Sequence, residues 1–359
     1  MSAVSTALAR GHHRLKTQRS RLLLPVLLLL LLGSLLLGVG IGPVVVPPEV
    51  VAAILLSKAG VPLDIAVSPQ QEAVLWNIRL PRVLLGALAG AALAVSGALL
   101  QGVFRNPLAD PGLIGVSSGA ALGAVAVIVL GWAPLGLFTL PLAAFSMGTA
   151  TTLLVYRLAQ RHGSTDVTTM LLVGLALNAL AGAGTGLLTY MADDAALRSV
   201  VFWSMGGLGG ALWETVLTAA PATIVALLIA PRLGRQLNLF ALGEVEARHL
   251  GIEVEWIKRA AILLAALATG SAVALVGPIG FIGLIVPHIV RLLAGPDHCR
   301  LLPAAALGGA ALLILADLLA RTLVAPAEIP VGLITAFAGG PFFLILILRS
   351  RRHAGVAGA

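Results

Sequence analysis

Two uncharged runs set the limits on what this chain can fold into. No side chain is charged between Val83 and Phe104, and none between Pro111 and Tyr156. An α-helix rises about 1.5 Å per residue, so about 20 apolar residues cross the hydrocarbon of a bilayer. The first run is one crossing. The second is too long for one helix and divides at Gly131-Trp132-Ala133-Pro134, where glycine and proline interrupt helical structure. Soluble proteins carry about 25% charged residues; this chain has 11%, against 59% hydrophobic residues and a mean hydropathy of +1.03. The sequence is that of an integral membrane protein. Aromatic residues make up only 4% and no stretch alternates as barrel strands do, so the expected class is an all-α polytopic bundle.

Ten spans are expected. Residues 1–21, with Arg10, Arg14, Lys16, Arg19 and Arg21 and no acid, read as a basic cytoplasmic tail. The apolar run from Leu22 past Pro43 exceeds the roughly 7–15 residues of a signal-peptide core, and no A-x-A site follows it, so it reads as an uncleaved first span. The segment Val44–Trp76, with Pro47, Pro48, Pro62 and Pro69, reads as an external loop with a short helix over Glu49–Ser57. The second span follows Arg79 and Arg82 and stops before Asn106-Pro107 and Asp110-Pro111. Gly115, Gly119 and Gly123 give the third a flat face, and Arg157, Arg161 and His162 close the fourth. The fifth covers Val167–Ala192, and the glycines after it predict a short helix and a sharp return. The sixth, Thr215–Pro231, is expected to stop at Arg232 and Arg235, leaving Asn238–Arg259 as a charged cytoplasmic island. Ala260–Val276, Ile279–Ala294, Leu301–Val324 and Ile329–Leu348 complete the count, with the eighth span expected to end in Pro287-His288 and Arg291.

Ten spans put both termini on one side, and the basic residues test that arrangement. Lys58, Arg79, Arg82, Arg198 and Arg321 fall on the far side and the other 18 of 23 on the N-terminal side, as the positive-inside rule requires. Arginine on the translocated side calls for a task, and Arg79, Arg82 and Arg321 sit at helix ends from which they can face outward together. The net charge of +8 flanks apolar runs, which points to anionic lipid rather than nucleic acid.

Lys16, Lys58 and Lys258 are the only lysines and none follows a glycine, so no Walker A loop exists and ATP must bind elsewhere. The seven histidines fall on or near the cytoplasmic side and no carboxylates pair in mid-membrane, which argues against a metal path or proton relay. The lone Cys299 excludes an internal disulfide framework. With no nucleophile beside a base, the chain reads as a non-enzyme without a cofactor of its own.

The run RLPRVLLGALAGAALAVSGALLQGVFRNPLADPGLIGVSSGAALG, followed in order by LGEVEARHLGI, GPIGFIGLIVPHIVRL and LADLLARTLVAPAEIPVGLITAFAGGPFF, resembles the FecCD/BtuC-like permeases of binding-protein-dependent ABC importers for haem, ferric siderophores and cobalamin. The resemblance covers nearly everything past Trp76. It implies a homodimer of ten-helix subunits in the bacterial inner membrane, with a pathway along the dimer axis. Two cytoplasmic ATPase subunits carry ATP and Mg, and a periplasmic binding protein docks on the other side. The permease domain then spans 22–348, with a coupling segment at about 238–259 and a cytoplasmic tail at 349–359.

Site residues follow from the same resemblance. Arg79, Arg82 and Arg321 match arginines that receive acidic residues of the binding protein; the alternative is that Asp317 and Arg321, four apart on one helix face, pair with each other. Glu246, Ala247, Arg248, His249, Leu250 and Gly251 resemble the coupling helices that enter the ATPase, although the glycine lies one residue closer to Glu-Ala than in other ABC importers. Val167, Thr168 and Thr169 match a cytoplasmic gate. Asn178, Thr185 and Thr189 are polar positions that either line the pathway or, for Asn178, bond a neighbouring helix. Gly277, Pro278, Gly280, Gly283 and Pro287 mark a bend that serves either motion or packing. The segments NPLADPGLIGVSSGAALGA and RTLVAPAEIPVGL are most similar to haem permeases, with siderophore and cobalamin as the other substrates. An ion-coupled secondary transporter is the reading from a different class; it would show an inverted repeat, and none is visible.

Overall fold

The computed structural model describes residues 22–42, 44–61, 63–161 and 163–356. The N-terminal tail over 1–21, Pro43, Pro62, His162 and the last three residues of the C-terminal tail lie outside the described residues. Thirteen helices are present among those described: α1 Leu22–Gly40, α2 Pro48–Lys58, α3 Pro69–Val103, α4 Val116–Leu130, α5 Gly136–Leu158, α6 Val167–Tyr190, α7 Asp194–Ser204, α8 Trp213–Phe240, α9 Glu244–His249, α10 Val254–Val276, α11 Ile282–Ala294, α12 His298–Thr322 and α13 Val331–Val356. Seven of them, α1, α3, α5, α6, α8, α10 and α12, are long and apolar enough to cross a membrane. The shorter apolar helices are α4, α11 and the part of α13 from Val331 to Leu346. At 13 residues α11 rises only about 20 Å, short of the roughly 30 Å of hydrocarbon. A two-residue ladder, β1 Gln160–Arg161 with β2 Ser164–Thr165, precedes α6.

The helix α3 is the axis of the bundle and packs against α8, α10, α11 and α12. Lipid supplies no hydrophobic drive between helices, so close backbone approach and polar contacts hold such a bundle together. A Cβ at Gly90 would lie 2.2 Å from the Gly309 carbonyl oxygen, and one at Gly309 would lie 2.3 Å from that of Gly90. Only glycine permits that crossing of α3 and α12. Ser96 donates to the Ala265 carbonyl at 2.7 Å and accepts from Thr269 at 2.7 Å, tying α3 to α10. The flat face expected on α4 is used in the same way, since Cβ atoms at Gly119 and Gly123 would lie 2.7 and 2.4 Å from the Met147 and Ala143 carbonyls of α5.

Several expected boundaries are corrected. The second span does not begin after Arg82 but at Pro69, so both arginines are inside α3. Pro81 lacks an N–H and its ring would meet the carbonyl four residues back; the turn before it, Val74–Arg79, widens to π geometry, with the Leu80 N–H bonded to Leu75. The sixth span passes Pro231, Arg232 and Arg235 and reaches Phe240 through a 3₁₀ turn at Ala230–Leu233. Proline is tolerated there because an N–H at the start of that turn has no helical partner to lose. Pro287 lies within α11 rather than ending it. The Gly283 carbonyl that it leaves free accepts a hydrogen bond from Gln101 Nε2 at 2.9 Å. Finally, α13 runs past Leu348 to Val356, so most of the expected tail is helical.

Candidate functional site

The residues expected to dock a binding protein and those expected to couple to an ATPase lie at opposite ends of α3 and α10. One end holds the arginines. Arg79, Arg82 and Arg321 come together there, but inside the protein, at 3%, 7% and 6% exposure, where outward-facing cations were expected. Arg79 Nη1 donates to the Val39 and Gly40 carbonyls at 3.0 and 2.8 Å, and its Nη2 donates to Val44. Arg321 Nη2 donates to the Gly38 carbonyl. A helix leaves its last carbonyls unpaired and its C-terminal end partly negative. These two arginines supply the end of α1 with both the donors and the charge, which gives cations a task on that side of the molecule.

Arg82 is held by acids. Its Nε and Nη2 meet Asp317 of α12 at 2.9–3.0 Å, and its Nη1 meets Glu328 at 2.9 Å. Asp317 also lies 3.7 Å from Arg321 Nε, so the pairing along α12 that the sequence left open is present. The Glu328 side chain, which the sequence did not single out, is 49% exposed. With Arg82 it borders a cleft of about 380 Å³ that also takes in residues 206–210, Val276 and Pro330.

The other end holds the charged island, which is a helical hairpin. Glu246, Ala247, Arg248 and His249 lie in α9 and Leu250 closes it. Gly251 takes φ +80°, its N–H bonded to Arg248 and that of Ile252 to Ala247, both at 3.0 Å. That is a Schellman termination, in which the left-handed residue favours glycine. Ala247 packs inward on Phe240 and Val254, while Leu242, Val245 and Leu250 are exposed. The buried Lys258 beneath the hairpin, 2.8 Å from Glu244, was not marked by sequence; the Glu255-Lys258 spacing was its only trace.

Between the two ends runs α6. Asp166 caps it, accepting from the Thr169 hydroxyl and, at 2.8 Å, from the Thr169 N–H. Those two hydrogen bonds hold the Asp166 carboxyl below its ordinary pKa. Thr168 is exposed and Val167 and Thr169 are partly buried. Asn178 turns towards α4: its Nδ2 donates to Gly112 at 3.0 Å and its Oδ1 accepts from Ser118, so it bonds a neighbour, the alternative reading. Thr185 and Thr189 donate to carbonyls four residues back at 2.8 Å. Leu172, Leu175, Leu180 and Leu187 are exposed, and Gly182 and Gly186 face open space. At the bend, Gly277 has φ +71° and a Cβ there would lie 2.4 Å from the Trp203 carbonyl, so packing requires it; Gly280 meets nothing within 4 Å.

A bundle of long apolar helices joined at glycine seams, with a charged hairpin exposed at one end, defines a multi-pass membrane protein. The chain belongs to the FecCD transport family, which it matches over residues 28–349. It is 52% identical over 283 residues to the hemin transport system permease protein HmuU of Yersinia pestis, covering 78% of this chain and 84% of that one. It is 44% identical over 292 residues to the cobalamin import system permease protein BtuC of Halobacterium salinarum, covering 80% and 76%. Among solved structures, a chain described as an inward-facing conformation of a metal-chelate type ABC transporter superposes with a TM-score of 0.80 at 34% identity, covering 91% of this chain and 98% of that one.

Proposed function

We propose that this permease of a metal-chelate ABC importer passes haem from periplasm to cytoplasm. The observation that carries the choice of haem is the 52% identity to the Yersinia pestis hemin permease, against 44% to the cobalamin permease of Halobacterium salinarum. The exposed face of α6 supports it. Leucines and glycines with no ionised side chain suit a flat, largely apolar macrocycle passed along without coordination. Cobalamin and ferric siderophores are the alternative cargo.

The working unit in this reading is a homodimer in the inner membrane, each chain crossing ten times through the seven long and three short apolar helices, with both termini cytoplasmic. The exposed faces of α6 line the pathway, and Val167, Thr168 and Thr169 stand at its cytoplasmic mouth. The hairpins around Glu246–Gly251 of the two chains meet two ATPase subunits, which hold ATP and Mg. The end fastened by Arg79, Arg82 and Arg321 receives a periplasmic binding protein, whose acidic side chains compete with the half-exposed Glu328 for Arg82.

Reconstitution with the ATPase and binding protein in proteoliposomes tests this directly. With ATP inside the ATPase compartment, haem is expected to accumulate about tenfold over a ferric siderophore or cobalamin, the discrimination of a little over 1 kcal/mol that a few changed contacts supply. Preferred uptake of cobalamin overturns the haem assignment. Uptake driven by a sodium or proton gradient without ATP overturns the importer class.

A further inference from the structure

One buried side chain joins the hairpin to the first turn of α6. Lys258, near the start of α10, is 1% exposed. Its Nζ lies 2.8 Å from Glu244 Oε1 and 3.4 Å from Glu255 Oε1, and it donates to the Thr165 carbonyl at 2.8 Å. Glu255 reinforces the same joint, accepting from the Thr165 N–H at 2.9 Å and from the Ser164 hydroxyl at 3.2 Å. The Phe240 ring, from the end of α8, stands 6.0 Å from the ammonium. Three segments therefore meet on one charge: Glu244 opens α9, Glu255 and Lys258 belong to α10, and Thr165 ends β2 immediately before Asp166, the cap of α6.

Separating a buried ammonium from its acceptors leaves an uncompensated charge, which is strongly unfavourable. Moving α9 away from Thr165 takes from Lys258 its nearest carboxylate, Glu244 at 2.8 Å, and leaves it Glu255 at 3.4 Å. The β1–β2 ladder holds Ser164 and Thr165 in one short antiparallel pair, so a pull on Thr165 is not absorbed by a loose loop. The next residues along the chain are Asp166 and the turn Val167–Thr169.

We infer that Lys258 is a positioning residue that makes the hairpin and the start of α6 move as one body, so that displacement of the hairpin is delivered at Val167–Thr169. The inference rests on the proposed contact between hairpin and ATPase. It names the element through which that contact acts on the pathway.

The test uses the permease assembled with its ATPase and binding protein in nanodiscs and proteoliposomes. In Lys258→Met, co-purification with the ATPase and ATP hydrolysis are expected to stay within about twofold of the unaltered complex, while transport per ATP falls about tenfold, the scale of a coupling free energy between sites. Lys258→Arg is expected to recover most of that loss, and Glu244→Gln, which removes one arm, to fall between. Spin labels at Leu250 and Thr168, in a Cys299→Ser background, report the body itself. Their separation is expected to stay narrow and unchanged on adding ATP in the unaltered joint, and to broaden in Lys258→Met. Normal transport per ATP in Lys258→Met overturns the inference, as does a Leu250–Thr168 distance that shifts with ATP when the joint is intact. Should Lys258→Met fail to fold, the distance in the intact joint and the Glu244→Gln transport ratio still decide. Failure of the underlying contact is seen separately: a photocrosslinker at Leu250 that captures no ATPase subunit removes that contact, and the inference with it.

Discussion

Helices α3 and α6 are made of similar material and finish in opposite surroundings. Their most apolar windows have mean hydropathies of 2.2 and 1.8, yet 83% of the first is buried inside the protein and 11% of the second. Both are rich in glycine. On α3, Gly90 and Gly97 face backbone, with added Cβ atoms 2.2 Å from the Gly309 oxygen and 2.0 Å from the Gly283 oxygen. On α6, Gly174 faces the Leu113 carbonyl at 2.1 Å, but Gly182 and Gly186 face nothing within 4 Å. A small residue in a membrane helix is thus either a seam or a bare surface. The difference lies in what stands opposite, which no single helix reveals.

The largest effect that would sharpen this contrast is expected at Arg82, which fastens α3 to α12. Arg82→Met leaves Asp317 buried with one weaker partner, and unfolding in detergent should lose about 3–5 kcal/mol. A loss under about 1 kcal/mol would mean that packing alone holds the axis.

Next in size comes a matched pair of substitutions. Gly97→Val drives a side chain into backbone and should cost about 1–3 kcal/mol, whereas Gly182→Val on α6 should stay within about 0.5 kcal/mol and show itself in transport instead. Equal losses of stability would break the comparison, since both glycines would then be seams.

The smallest effect belongs to the cap of α6. Asp166 stabilises the helix while ionised, and its pKa is lowered in the folded protein by the Thr169 hydrogen bonds. Its contribution is therefore complete above the unfolded pKa of about 3.9 and fades as pH falls through the lower folded value. Hydrogen exchange at Val167–Met170, corrected for intrinsic rates, should stay slow down to about that pH and be faster in Asp166→Ala at neutral pH. Identical protection in the two proteins would show that tertiary contacts, not the cap, hold this turn.

Much of the fold was legible because charge cannot be left in lipid. The runs around Val83–Phe104 and Val167–Tyr190, the break at Gly131 and the bend at Gly277 all fall where absence of charge or a helix breaker puts them. Helix ends were less legible. Arg79 and Arg82 read as preceding the second span and Arg232 and Arg235 as stopping the sixth, yet a π turn and a 3₁₀ turn carry the helical backbone past these positions. Among site residues, Gly251 was readable because a left-handed helix end has a sequence signature. The bonding of Arg79 to α1, of Glu328 to Arg82 and of Lys258 to Thr165 was not, because each joins segments far apart in the chain and leaves no local pattern.

The end of α1 also bears on the order in which the molecule can be made. Gly38 receives its donor from a residue 283 positions later, and Gly40 from one 39 positions later. While the nascent chain emerges from the ribosome, the tip of α1 is thus lent in part to water or headgroups until Arg321 arrives with α12. Synthesis halted before α12 leaves the end of α1 with the bonds of Arg79 to Val39 and Gly40 and without that of Arg321 to Gly38.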